Sequence, residues 1–124
     1  MDSIGLYIHI PFCKSKCPYC DFYSGKGNAE KYKNYTETLI DKIRYWSQQV
    51  ENSVKSIYFG GGTPSVLGSE LLSKILFEIK NNFIIESNAE ITVEINPDTG
   101  KTIDFKLLKE AGFNRISIGM QSAV

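Results

Sequence analysis

Short apolar runs that stop at glycine or proline alternate along this chain with longer stretches of helical periodicity, and this alternation is its strongest constraint on fold. Ile4 to Ile10 is rich in β-formers and is closed by Pro11, which predicts a first strand. From Ala29 to Val50, Tyr32, Tyr35, Leu39, Ile43, Trp46 and Val50 recur at the spacing of one helix face. Ser53 to Phe59 predicts a second strand, ended by Gly60-Gly61-Gly62, and Leu71, Leu72, Ile75, Leu76 and Ile79 form the stripe of a second helix. Ala89 to Ile95 predicts a third strand, stopped by Asn96-Pro97. Asp104 to Ala111 predicts a short third helix with Gly112 as its left-handed cap, and Arg115 to Gly119 a fourth strand. Strands separated by helices imply an α/β fold of parallel strands with helical crossovers. Strands two to four are apolar at most positions, which predicts cover on both faces. The chain stops at Gln121-Ser122-Ala123-Val124, past a strand and before any covering helix, so residues 1–124 read as an incomplete N-terminal portion of a larger α/β domain.

In a parallel sheet, every loop that follows a strand lies on one edge, and ligands bind at that edge. All the unusual chemistry here follows strands: a cysteine run, the triple glycine, Glu94-Ile95-Asn96-Pro97, and Gln121-Ser122. Lys plus Arg equals Asp plus Glu at 14 each, which argues against a nucleic-acid partner or a polybasic anchor. The apolar runs are too short to span a bilayer, and Met1-Asp2-Ser3 does not open a secretory leader. The expected location is cytoplasmic, where clustered cysteines bind metal or do redox work.

Cys13, Cys17 and Cys20 are the only cysteines. Three thiols are one short of an all-thiolate zinc site, and they suit a metal cluster with one open corner. Lys14 and Lys16 would favour an anionic cluster. Two other readings compete: a zinc site completed by His9, and a glutaredoxin-like dithiol at Cys17-Pro18-Tyr19-Cys20. The dithiol reading leaves Cys13 without a role, and a glycine-containing loop follows where a helix should open. Gly60-Gly61-Gly62-Thr63-Pro64-Ser65 is neither a P-loop nor G-x-G-x-x-G; it is a tight turn or a close approach to a ligand. Glu94 is either a solvated carboxylate or an acceptor for a ribose diol. Tyr7 and His9 share one face of the first strand, as packed core groups or as site groups. Gln121 alone is uninformative.

Together these motifs are far more specific. The Cys-x3-Cys-x2-Cys spacing, with Tyr19 before the last cysteine, resembles the radical S-adenosylmethionine superfamily. Tyr7-Ile8-His9-Ile10-Pro11-Phe12-Cys13, Gly60 to Ser65, Glu94 to Pro97, and Asn114 to Ser122 resemble, within it, the family of oxygen-independent coproporphyrinogen III oxidase and the related haem chaperone. The resemblance implies the four-strand N-terminal portion of a partial (β/α)6 barrel. It implies a [4Fe-4S] cluster on Cys13, Cys17 and Cys20, with S-adenosyl-L-methionine on the fourth iron. Backbone at Gly61, Gly62 and Thr63 would meet the cofactor, Glu94 would hold its ribose, and Tyr7, Tyr19 and Gln121 would line its pocket. Reduction would cleave the sulfonium to a 5′-deoxyadenosyl radical, which in the oxidase starts propionate decarboxylation of coproporphyrinogen III. The oxidase has a further cysteine two positions after the third ligand, where this chain has Phe22. Asp21-Phe22 is similar to the chaperone branch, which implies haem as ligand, a haem-acceptor protein that could be membrane-associated, and an electron donor as partners. The true oxidase, with porphyrinogen as substrate, is the alternative. Four strands alone are expected to be inactive, and the uncovered face near Ile116 and Ile118 could pair two copies.

Overall fold

The computed structural model describes residues 2–12, 26–96 and 103–118. Its elements are β1 (Ile4–Ile10), α1 (Lys26–Ser47), β2 (Val54–Gly61), a 3-10 turn (Pro64–Leu67), α2 (Ser69–Asn82), β3 (Ile85–Ile95), α3 (Phe105–Ala111) and β4 (Arg115–Ile118). The strands lie in chain order, β1-β2-β3-β4, and each neighbouring pair is parallel. This is the expected α/β architecture of parallel strands with helical crossovers.

One face of the sheet carries the core. Ile8, Ile10, Ile57, Phe59, Ile91, Val93 and Ile95 alternate inward along their strands and meet Ile43 of α1, Leu72, Ile75, Leu76 and Ile79 of α2, and Leu108 of α3. Phe59 meets Phe113 edge-on, with ring centroids 5.1 Å apart. Truncating a buried Leu or Ile at such a position costs about 2–5 kcal/mol. The α1 stripe differs from expectation at its end. Thr36, Ile40 and Ile43 are buried, but Trp46 is 57% exposed and Val50 lies beyond the helix. The buried stripe continues to the half-buried Ser47, so Trp46 falls outside it and packs edge-on against Tyr45 at 5.5 Å.

The opposite face is a correction to the expected two-sided cover: no described helix packs there. It presents Tyr7 and His9 from β1, Ser56 and Tyr58 from β2, Glu90, Thr92 and Glu94 from β3, and Arg115 and Ser117 from β4. These alternate positions carry hydroxyl, carboxylate and guanidinium groups; Thr92 is buried, Ser56, Tyr58, Glu94 and Ser117 are half-buried, and Tyr7, His9, Glu90 and Arg115 are exposed. Tyr7 and His9 are accordingly exposed rather than packed in the core. On the helix side of β4, Ile116 and Ile118 are 45% and 64% exposed, beside an apolar cavity of about 580 Å³ lined by Phe105, Leu108, Phe113 and Ile116.

β3 begins before the expected apolar run: Ile85 pairs with Val54, and a register shift separates this pair from Ser56–Glu90. The Val54 N–H donates to the Ile84 carbonyl at 2.7 Å. The Glu86 carboxylate accepts from the Ser3 hydroxyl and, at 2.8 Å, from the Ser53 hydroxyl. At the other side, Asn114 acts as an extra rung between β3 and β4. Its Oδ1 accepts from the Ile91 N–H at 2.8 Å, its Nδ2 donates to the Ala89 carbonyl at 2.9 Å, and its own N–H donates to the Ile91 carbonyl at 3.0 Å. Asp104 caps α3 by accepting from the Leu107 N–H at 3.0 Å. Gly112, at φ +124°, ends that helix as expected.

Asn114→Ala is expected to cost about 1–2 kcal/mol, because it strands the Ile91 donor and the Ala89 acceptor. Hydrogen exchange checks this: Ile91 and the β4 amides should exchange faster while those of β1 do not change. A second prediction concerns pH. Hydroxyl donation from Ser3 and then Ser53 lowers the Glu86 carboxyl below its ordinary 4.5. Its contribution is therefore full above that value and is lost as pH falls through the lower folded value. Thermal unfolding from pH 7 to 3 should show Glu86→Gln less acid-sensitive than the parent.

Candidate cofactor site at the strand ends

The site is built around the last residues of β1. Ile10 is fully buried, and Pro11 and Phe12 carry the chain towards Cys13. Two structures pin this segment. On one side is the glycine turn after β2. The Gly62 N–H donates to the Ile10 carbonyl at 2.9 Å, and the Thr63 N–H donates to the Phe12 carbonyl. That bond is 2.6 Å. Gly61 makes the turn possible: its φ is +118°, and a Cβ there would lie 2.5 Å from the Ile10 carbonyl oxygen. On the other side is α1. Phe12 sits edge-on between Tyr32 and Tyr35, with centroids 4.9 and 5.1 Å away, and Lys31 Nζ lies 5.4 Å from its ring centre. The Tyr35 hydroxyl donates to the His9 carbonyl at 2.6 Å, and burial raises its phenol above the ordinary value.

Glu94 stands on the open face of β3, half-buried, one residue before the end of the strand. The Tyr58 hydroxyl donates to Glu94 Oε2 at 2.7 Å. Tyr7, opposite Tyr58 in register, stacks on it with centroids 6.1 Å apart and an interplanar angle of 13°. Gly60 lies beneath both rings; a Cβ there would be 2.9 Å from Tyr58 Cε1 and 3.0 Å from the Tyr7 hydroxyl. The bond to Glu94 is the main reason, ahead of burial, that the Tyr58 phenol is raised above its ordinary 10.0. Towards the strand starts, Ser56, Tyr58, Glu90, Thr92, Arg115 and Ser117 line a polar cavity of about 370 Å³, with Arg115 and Glu90 paired at 2.8 Å. The larger apolar cavity beside β4 is elsewhere and carries none of this chemistry.

The loops after β2 and β3 are braced together. Ser65 Oγ accepts from the Asn96 N–H at 3.2 Å, and Ser69 Oγ accepts from the Asp104 N–H at 2.7 Å. Of the residues expected at the site, Tyr7 and Glu94 share the open face, joined through Tyr58. Gly61, Gly62 and Thr63 lie against the end of β1. Cys13, Cys17, Tyr19, Cys20, Gln121 and Phe22 lie outside the described residues, and no metal-ligand cluster occurs among the described ones. His9, the zinc candidate, is exposed on the open face, with Nδ1 3.4 Å from the Tyr7 hydroxyl. Sequence reasoning missed Tyr58. Its signal was position alone: two residues before Gly60, on the same face as Tyr7 and Glu94.

Glu94 offers a carboxylate oxygen on an open face. The Gly62 and Thr63 N–H groups are committed to the Ile10 and Phe12 carbonyls, and the Thr63 carbonyl accepts from the Val66 N–H. A parallel sheet with its polar groups at the strand ends defines a cofactor-binding α/β domain. The class is narrowed by comparison with known proteins. The model of the Radical SAM superfamily matches residues 7–124, and the chain belongs to that superfamily. It is 45% identical over 124 residues to the haem chaperone HemW of Buchnera aphidicola subsp. Schizaphis graminum, covering 98% of this chain and 33% of that protein. It is 41% identical over 126 residues to HemW of Escherichia coli K12, with the same coverage. The solved coproporphyrinogen III oxidase HemN of Escherichia coli, a radical SAM enzyme, superposes with a TM-score of 0.79 at 29% identity over 96% of this chain and 28% of that one. The chain thus spans about a third of the length of the curated relatives it matches. The superfamily implies an iron–sulfur cluster and S-adenosylmethionine. No described helix is long and apolar enough to cross a membrane.

Gly61→Ala should destabilise the protein by about 1–3 kcal/mol, because strain at positive φ adds to the clash with Ile10. Gly68 is the control. It also has positive φ, at +88°, but nothing lies within 4 Å of its Cβ position. Gly68→Ala should therefore cost less by thermal unfolding, and only Gly61→Ala should also lower the iron and sulfide content.

Proposed function

We propose that this protein is a haem chaperone of the oxygen-independent coproporphyrinogen III oxidase family. Cys13, Cys17 and Cys20 hold a [4Fe-4S] cluster, and S-adenosylmethionine occupies the open strand-end face. When bound, this pair supplies one-electron cleavage of a sulfonium. The chain's own residues bind and orient: Glu94 accepts from the ribose hydroxyls, the exposed ring of Tyr7 packs on the cofactor, and Tyr19 and Gln121 close the pocket. The backbone of Gly61, Gly62 and Thr63 meets the methionyl end; the Gly62 and Thr63 N–H groups are spent on Ile10 and Phe12, and the Thr63 carbonyl on Val66. Haem is the cargo, a haem-binding protein its acceptor and a reduced protein the electron donor, in a reducing cytoplasm.

The observation that carries the chaperone reading is the 41–45% identity to haem chaperones across 98% of this chain, with Phe22 where the oxidase has a cysteine. The true oxidase, acting on coproporphyrinogen III, is the second reading, supported by the fold match to that enzyme.

Anaerobic reconstitution separates them. The chaperone reading expects a brown protein whose colour, iron and sulfide are lost in Cys13→Ala, stoichiometric haem binding by Soret titration, and no vinyl product from coproporphyrinogen III. Decarboxylation above the background of the cysteine variant would establish the oxidase instead. A colourless protein that reduces mixed disulfides through Cys17 and Cys20 would overturn both.

A further inference from the structure

Glu94 is read above as the ribose ligand, and the following inference rests on that reading. A carboxylate on an open sheet face can rotate, and each rotamer offers its oxygens to a different point. Here one oxygen is committed. Tyr58 reaches across from β2 and donates to Glu94 Oε2 at 2.7 Å, and this is the carboxylate's only hydrogen bond among the described residues. Tyr58 is itself confined. Tyr7 stacks on one side of its ring, and Gly60 leaves room for both rings against the backbone. Two neighbouring strands, β1 and β2, thus fix one oxygen of this β3 carboxylate, and the other oxygen remains for a ligand. We propose that Tyr58 is a positioning residue that holds the Glu94 carboxylate in the rotamer able to accept from a vicinal diol, so that cofactor affinity depends on its hydroxyl although that hydroxyl does not touch the cofactor.

The arrangement has a further consequence. Replacing Gly60 with alanine displaces the rings without touching either hydrogen-bonding group, so it reaches Glu94 by an independent route.

The test is equilibrium binding of S-adenosylmethionine and of its 2′,3′-dideoxy analogue to the cluster-loaded protein, for the parent, Tyr58→Phe, Glu94→Gln, Gly60→Ala and the double variant of Tyr58 and Glu94. Tyr58→Phe should weaken S-adenosylmethionine about three- to tenfold, the worth of one hydrogen bond acting through its partner. It should leave the dideoxy analogue unaffected, and the double variant should bind no more weakly than Glu94→Gln alone. Gly60→Ala should reproduce the diol-selective loss. Ultraviolet difference titration gives a readout that needs no ligand: the phenol missing in Tyr58→Phe should ionise above 10.0 in the parent and move down in Glu94→Gln. Unchanged affinity in Tyr58→Phe, or an equal loss for both ligands, overturns the positioning role while Glu94→Gln still reports the diol contact. If Glu94→Gln binds S-adenosylmethionine as the parent does, the reading of Glu94 fails, and this inference fails with it.

Discussion

Two backbone hydrogen bonds, from Gly62 to Ile10 and from Thr63 to Phe12, govern where the chemistry of this chain can happen. They extend the β1–β2 ladder past the end of the regular sheet, so the segment leading to Cys13 is bonded as firmly as a strand. Their geometry depends on Gly61, since any Cβ there would press on the Ile10 carbonyl. The aromatic clamp of Tyr32 and Tyr35 on Phe12 closes the other side. In the proposed function, a loop bearing metal ligands would need to leave a fixed point for its thiols to reach one cluster, and this contact would supply it. The Gly62 and Thr63 donors are spent on Ile10 and Phe12, and the Thr63 carbonyl on Val66.

The helical side of the fold was readable because core burial imposes a period. Leu72, Ile75, Leu76 and Ile79 recur as one face of a helix must, and they are fully buried. The same rule misplaced Trp46, because a step of three or four residues is ambiguous at a helix end and only packing chooses between them. In the first half of β3, the polar run Glu86-Ser87-Asn88 interrupts the apolar signal after Ile85. Ile85 pairs with Val54 and Glu90 with Ser56, so Glu86, Ser87 and Asn88 fall in a register shift between them, where Glu86 is held by serine hydroxyls that leave no trace in hydropathy.

The candidate site divides in a similar way. Tyr7, Glu94 and the glycine turn were visible through a motif pattern and the rule that parallel strands present their ends on one edge. Tyr58 was hidden because tyrosine within a β-rich run is ordinary, and its role arises only from register: Tyr7 opposite it on β1, and Glu94 within reach of its hydroxyl on β3. Among the described residues, no helix covers the second face, for a related reason. Tyr58 made β2 look continuous in hydropathy, whereas it and its neighbours Glu94, Glu90 and Arg115 on that face carry hydrogen-bonding groups.

Because the strands lie in the order in which they are synthesised, each new unit adds to the growing edge and never inserts between earlier ones. Tyr7, the glycine turn, Tyr58 and Glu94 all belong to the first three strands, and their mutual contacts require no residue after Asn96. On a ribosome that extends the chain by about 5–20 residues per second, this half of the site can assemble while the remainder is still unmade. The nascent chain would then present its cofactor edge before the sheet is complete, and loading could begin during translation.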